Sequence, residues 1–140
     1  MKSTYRGFWR ASESEVAHAL AHGWLDDTKS LVCLRRTLPS WWPWAASRFH
    51  SKMRFDHVPI PPSSSPSCES ALRAFLDVLM PQLPRPVVVF CKEGRHRTGI
   101  VAAVVARRCG ATAEEALLEY VLGTRGEPRE SELALLERLF

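Results

Sequence analysis
The strongest hydrophobic signal is VVVFC at 87–91, a continuous apolar run with three β-branched residues. It predicts a strand buried on both faces. GIVAAVVARR at 99–108 follows closely and is apolar nearly all round, which predicts a central helix ending at Gly110. Earlier in the chain the pattern predicts a short strand at Thr4–Phe8 and a helix over Glu13–His22. That helix opens on a Ser12/Glu15 capping box and stops at Gly23. SLVCLR at 30–35 and MRFDHVPI at 53–60 predict two more strands.

Leu72, Phe75, Leu76 and Leu79 share one helical face, so a helix capped by Ser67 or Ser70 is expected to run to about Met80. Thr112 with Glu115 makes a second capping box for a helix to about Leu122, and Pro128 leads a last helix to Phe140. Two stretches predict loops. Residues 36–52 carry two prolines and three tryptophans, and PPSSSPS at 61–67 holds three prolines and four serines. Strands and helices alternate and then only helices follow, which is the order of an α/β domain with a small sheet flanked by helices. No repeat or internal boundary interrupts residues 1–140, so one domain is expected.

Composition narrows the picture. The chain has 140 residues, 46% hydrophobic and 24% charged, and no apolar run reaches the ~20 residues of a membrane span. The N-terminal residues MKSTYRGFWR lack the apolar core of a secretory signal. Cys33, Cys68, Cys91 and Cys109 show no metal-type pairing, so reduced thiols in a cytoplasmic setting are expected, with no metal and no cofactor. The net charge is +4, unevenly spread: Thr28–Phe55 contains no acid but holds Lys29, Arg35, Arg36, Arg48, Lys52 and Arg54. A second basic cluster is CKEGRHRTG at 91–99. An anionic ligand is the natural inference.

The chemistry concentrates in that second cluster. A buried strand leading through a glycine-containing turn into a helix start is a ready anion site, because the first amides of a helix have no partners within it. Cys91 closes the strand, and the surrounding field favours the thiolate form. Arg97, six residues on, is spaced to grip two phosphate oxygens with its planar fork. Gly94 and Gly99 permit a tight backbone. These residues can carry nucleophilic attack by Cys91 on phosphorus, with Arg97 and the loop amides holding the transition-state charge. Thr98 is placed to donate its hydroxyl to the sulfur. Lys92, Arg95 and His96 are expected on the rim, with Glu93 turned away or paired to a base.

CKEGRHRTG also fits the Cys-x5-Arg-Ser/Thr signature of the cysteine-dependent protein tyrosine phosphatase superfamily. It most resembles the atypical dual-specificity phosphatases of the plant-and-fungal type, whose loop reads Cys-Lys-x-Gly-Lys-His-Arg-Thr-Gly. YRGFWRASESEVAHALAHGWLDDTKSLVCLRR, RFDHVPI and VVVFC are similar to the same family, so the resemblance spans nearly the whole chain. It implies the dual-specificity phosphatase fold, a central, mostly parallel sheet flanked by helices. It also implies Cys91 as nucleophile and Arg97 as phosphate clamp, acting through a cysteinyl-phosphate.

The sequence departs from the family in two places. Phe90 stands where the family has histidine before the cysteine. The loop after the VPI strand, PPSSSPSC, lacks the usual carboxylate general acid, and Asp56 is the nearest candidate for that role, with Glu69 and His57 weaker substitutes. An acid-poor site suits a phosphoanhydride, whose leaving phosphate has a second pKa of about 6, better than an alkyl ester. The relatives include enzymes that act on inositol pyrophosphates. The expected substrate is therefore a phosphorylated protein or a polyphosphorylated small molecule. The competing readings are a phosphate-binding pseudophosphatase and an RNA 5′-phosphatase that binds its chain along 28–55. A sulfur-transfer or redox enzyme would need a different loop or resolving cysteines.

Overall fold
In the computed structural model, which describes residues 1–5 and 7–140, five strands form one sheet in the order β1-β2-β5-β3-β4. The strands are β1 (Lys2–Tyr5), β2 (Phe8–Ser12), β3 (Ser30–Cys33), β4 (Arg54–His57) and β5 (Val87–Cys91). Only the β1/β2 pair is antiparallel; β2, β5, β3 and β4 run parallel. The helices are α1 (Glu13–Ala21), α2 (Trp42–Phe49), α3 (Cys68–Leu79), α4 (Arg97–Arg108), α5 (Ala113–Gly123) and α6 (Glu130–Leu139). The α/β architecture with a mostly parallel sheet is the one expected from the sequence.

The position of β5 follows from its side chains. All five of its residues are buried, and it pairs with β2 on one side and β3 on the other. Fully burying a Val or Phe side chain contributes about 1.5–3 kcal/mol, whereas an exposed ion pair contributes about 0–1. The apolar run therefore decides which strand is central. Its alternate residues feed two cores. Val87, Val89 and Cys91 pack with α3, α4, α5 and α6, while Val88 and Phe90 pack with α1 and α2. Both capping boxes, Ser12/Glu15 and Thr112/Glu115, are formed.

Two expectations are corrected. The strand expected at Thr4–Phe8 is instead the two arms of a hairpin, β1 and β2, turning at Gly7 (Arg6, inside the expected strand, lies outside the described residues). Gly7 has φ +83°, and a Cβ there would lie 2.3 Å from the Pro84 carbonyl oxygen, so only glycine fits the turn. The loop expected over 36–52 contains α2. Pro43 falls in its first turn, where the missing N–H costs nothing, and Trp42 and Ala45 are buried. Among the described residues, no helix is long and apolar enough to cross a membrane.

Candidate active site
Cys91 ends β5 and α4 starts at Arg97, so the intervening loop spans the carboxyl edge of the central strand and an open helix N-terminus. Neighbouring elements grip this loop at several points. The Glu13 amide at the head of α1 donates to the Lys92 carbonyl at 3.1 Å. Gly94 has φ +71°, and a Cβ on it would come within 2.7 Å of the Ala11 backbone, so the loop lies directly on β2. Arg10 of β2 is only 6% exposed; its guanidinium donates to the Gly94 carbonyl at 2.8 Å and reaches Glu119 at 3.4 Å. A Cβ on Gly123 would sit 2.5 Å from that guanidinium, so a side chain there would push the guanidinium aside.

On the opposite flank, His96 Nδ1 lies 2.7 Å from the Glu132 carboxylate of α6. Glu132 is 2% exposed and also accepts from the Tyr120 hydroxyl, whose oxygen in turn accepts from the Arg129 amide at 3.1 Å. Burial first, and the Glu132 carboxylate beside it, push the Tyr120 phenol well above its ordinary range, so it remains a proton donor. Burial likewise raises the Cys68 thiol and lifts Cys33 to about 11, so neither is an ionised thiol at neutral pH.

The loop opens into a cavity of about 230 Å³ lined by Cys91, Lys92, Glu93, His96 and Arg97, together with Pro62, Ser63, Arg129 and Glu132. The structure thus brings Cys91 and Arg97 together with Lys92 and His96. Among the described residues, Arg97 and Lys92 have no carboxylate partner, which leaves both cations facing the cavity. Arg95 is placed elsewhere: it pairs with Glu93 at 3.8 Å and lines a neighbouring cavity of about 300 Å³ with Arg10, Gly94 and Arg125. Thr98 is fully buried, and among the described residues its Oγ1 has no hydrogen-bond partner.

Asp56 is not brought to this cluster. It sits on β4 in register with Val32, which pairs with Val89. That is two strands across and two residues short of Cys91, on the order of 12 Å by sheet spacing. Its carboxylate accepts from Arg54 at 3.1 Å and borders a separate cavity against α3. Glu69 is bound by Arg73 and Arg138, which hold its carboxyl below the usual range. His57 caps the Arg35 carbonyl at 2.6 Å.

The tyrosine phosphatase family model matches residues 49–138, from the end of α2 through α6. The chain belongs to the tyrosine phosphatase family. It is thereby a cysteine-dependent phosphatase by class, and the Cys91–Arg97 loop lies within the matched segment. No curated protein sequence matches it.

Solved structures of the same fold include the core catalytic domain of the PP-IP phosphatase SIW14 from S. cerevisiae, captured with citrate. That structure has TM-score 0.79 and 17% identity, covering 97% of this chain and 82% of that one. TpbA from P. aeruginosa gives TM-score 0.73 and 20% identity, covering 96% and 81%. Human DUSP28 gives 0.71 and 16%, covering 98% and 90%. At these identities the likeness establishes the fold, the atypical dual-specificity phosphatase architecture.

Within this phosphatase, Phe90 is fully buried on the sheet face away from Cys91, with its ring 5.9 Å from Trp41 and 6.1 Å from Trp42. Two groups that hold the loop were missed by sequence reasoning, and both left a signal. Arg10 takes an inward position in phase with Phe8 on β2. Glu132 falls in phase with Leu135, Leu136 and Leu139 on the apolar stripe of α6. A charge on a core-facing position calls for a buried partner.

Proposed function
We propose that this phosphatase hydrolyses phosphate groups on a densely anionic substrate through a cysteinyl-phosphate on Cys91, with phosphoanhydrides of the inositol pyrophosphate kind as its preferred class. The observation that carries this reading is the joint placement on one small cavity, at a helix N-terminus, of the Cys91 thiol and the Arg97 and Lys92 cations, neither of which pairs with a carboxylate among the described residues. Cys91 Sγ attacks phosphorus, and Arg97 with the loop amides holds the oxygens as charge spreads. Thr98 Oγ1, buried and without a partner among the described residues, has a hydrogen bond to offer the sulfur as it leaves in the second half of the reaction.

The substrate preference rests on two features. Residues 61–68, which border the cavity at Pro62 and Ser63, contain no carboxylate, so that edge of the cavity does not repel a polyanion. Arg129 adds a further cation to the rim, which suits several phosphates on one molecule. The PP-IP phosphatase SIW14, of the same fold, supports the same substrate class.

The test is phosphate release from p-nitrophenyl phosphate, a phosphotyrosine peptide, an inositol pyrophosphate and a 5′-triphosphorylated RNA, with Cys91→Ser alongside. The expected result is turnover abolished by the substitution and fastest on the inositol pyrophosphate. No turnover on any substrate, with phosphate still bound, would make the protein a phosphate-binding module. Preference for the RNA would move the substrate to nucleic acid.

A further inference from the structure
The phosphatase reading leaves the proton donor for ester substrates unassigned, since Asp56 borders another cavity and residues 61–68 offer no carboxylate. Six other groups on the Cys91 cavity carry charge or exchange protons: Lys92, Glu93, His96, Arg97, Arg129 and Glu132. The arginines do not give up a proton in proteins. Glu93 is mostly exposed and faces Arg95. The carboxylate of Glu132 is occupied, since it already accepts two hydrogen bonds through one oxygen. Lys92 has no group to orient it among the described residues. His96 alone combines an imidazole, which has one nitrogen to hold an orienting partner and a second to give or take a proton, with a buried carboxylate that fixes its ring.

The hydrogen-bond chain determines the orientation of that ring. The Tyr120 oxygen accepts from the Arg129 amide, so its single proton points to Glu132. Glu132 Oε1 therefore acts as an acceptor, and His96 Nδ1 carries the proton donated to it. The second nitrogen, Nε2, is the one left to exchange protons on the cavity. A carboxylate orienting an imidazole in this way is a recurrent arrangement for proton transfer.

We propose that His96, oriented by Glu132, is the catalytic acid and base of this site; the proposal rests on the phosphatase reading above. When Cys91 Sγ attacks, the bond from phosphorus to the leaving oxygen breaks. Its electron pair goes to that oxygen, which takes the proton from imidazolium Nε2. Water then attacks the phosphocysteine, the sulfur–phosphorus bond breaks with its pair returning to Cys91 as thiolate, and the water proton goes to Nε2. Glu132 acts through His96 and is a positioning residue. The charged and titratable groups around the ring are Glu132 and Arg129 from the α6 end, Tyr120 from α5, Cys91 from β5, Lys92 and Glu93 from the loop, and Arg97 from the start of α4.

The test uses leaving-group basicity, which a purely structural role does not sense. The kcat/KM values of wild type, His96→Asn and Glu132→Gln are measured on a series from p-nitrophenyl phosphate through phenyl phosphate to a phosphotyrosine peptide. Inhibition by orthovanadate checks that the loop still binds a tetrahedral anion. Asparagine keeps a donor for Glu132 but relays no proton. The expected loss in His96→Asn grows along the series to about 10²-fold or more on phosphotyrosine, with a shallower version of the same trend in Glu132→Gln. Equal losses across the series in both variants, or no loss, overturn the proposal. Absence of wild-type turnover, or turnover that survives Cys91→Ser, overturns the phosphatase reading itself and His96 with it.

Discussion
Phe90 and Cys91 are consecutive in β5 and belong to different halves of the molecule. Cys91 faces the α3–α6 side, where the loop meets Arg97, His96, Glu132 and Arg10. Phe90 faces the α1–α2 side and packs among Trp41, Trp42 and Leu31. The two-residue period of a strand separates chemistry from packing here. On the Cys91 side, buried charged groups from β2 and α6 reach in to hold backbone and ring. On the other side the packing is aromatic: Trp41, just before α2, and Trp42, its first residue, surround the phenylalanine that stands where the family has histidine. The departure at position 90 is thus matched by its neighbours and does not present a side chain to the cavity.

If the two faces are independent, substitutions on each should affect different observables. The largest effect belongs to Cys91→Ser, expected to lower kcat on p-nitrophenyl phosphate by on the order of 10³-fold or more, with the urea midpoint nearly unchanged. Trp42→Ala, on the opposite face, is expected to cost about 3–5 kcal/mol of stability while turnover per folded molecule stays within about twofold. A collapse of kcat in the folded protein would show that the faces are coupled.

Arg10→Met tests the grip on Gly94. It removes the hydrogen bond to the Gly94 carbonyl and leaves Glu119 only its exposed partner Lys2; it should cost about 1–3 kcal/mol in urea unfolding, together with about tenfold in kcat/KM. Cys33, on the packing face, offers a pH test. Burial raises its thiol from about 9 to about 11, so the unfolded chain loses this proton first and stability falls as pH rises between those values. Wild type should lose roughly 2 kcal/mol more than Cys33→Ala across that window. The smallest effect is assigned to Asp56→Asn, expected to alter kcat/KM by less than about twofold, because its carboxylate is bound to Arg54 on β4. A large loss would return Asp56 to the site.

Much of this arrangement is legible in the sequence. The apolar run 87–91, the capping boxes at Ser12 and Thr112, and the strand–turn–helix around Cys91 each rest on local rules and appear as read. The hairpin at Gly7 and helix α2 were not legible, because a glycine inside one apparent strand and a proline within an aromatic stretch each have two local solutions that tertiary packing decides. The loop's supports were hidden for a different reason. Arg10 and Glu132 are 84 residues before and 36 residues after their contacts. Their purpose emerges only when β2 and α6 are folded against the loop, although an arginine in phase with Phe8 and a glutamate in phase with Leu135 mark them as out of place on a surface.

If Cys91 carries the phosphoryl group, the phosphorylated enzyme can be trapped during turnover. Rapid acid quench during turnover of p-nitrophenyl phosphate, followed by mass spectrometry of the peptide containing residues 91–97, tests it directly. One phosphoryl group is expected on Cys91, absent in Cys91→Ser. Steady phosphate release with no phosphocysteine at any quench time, or a phosphoryl group on another side chain, would contradict it.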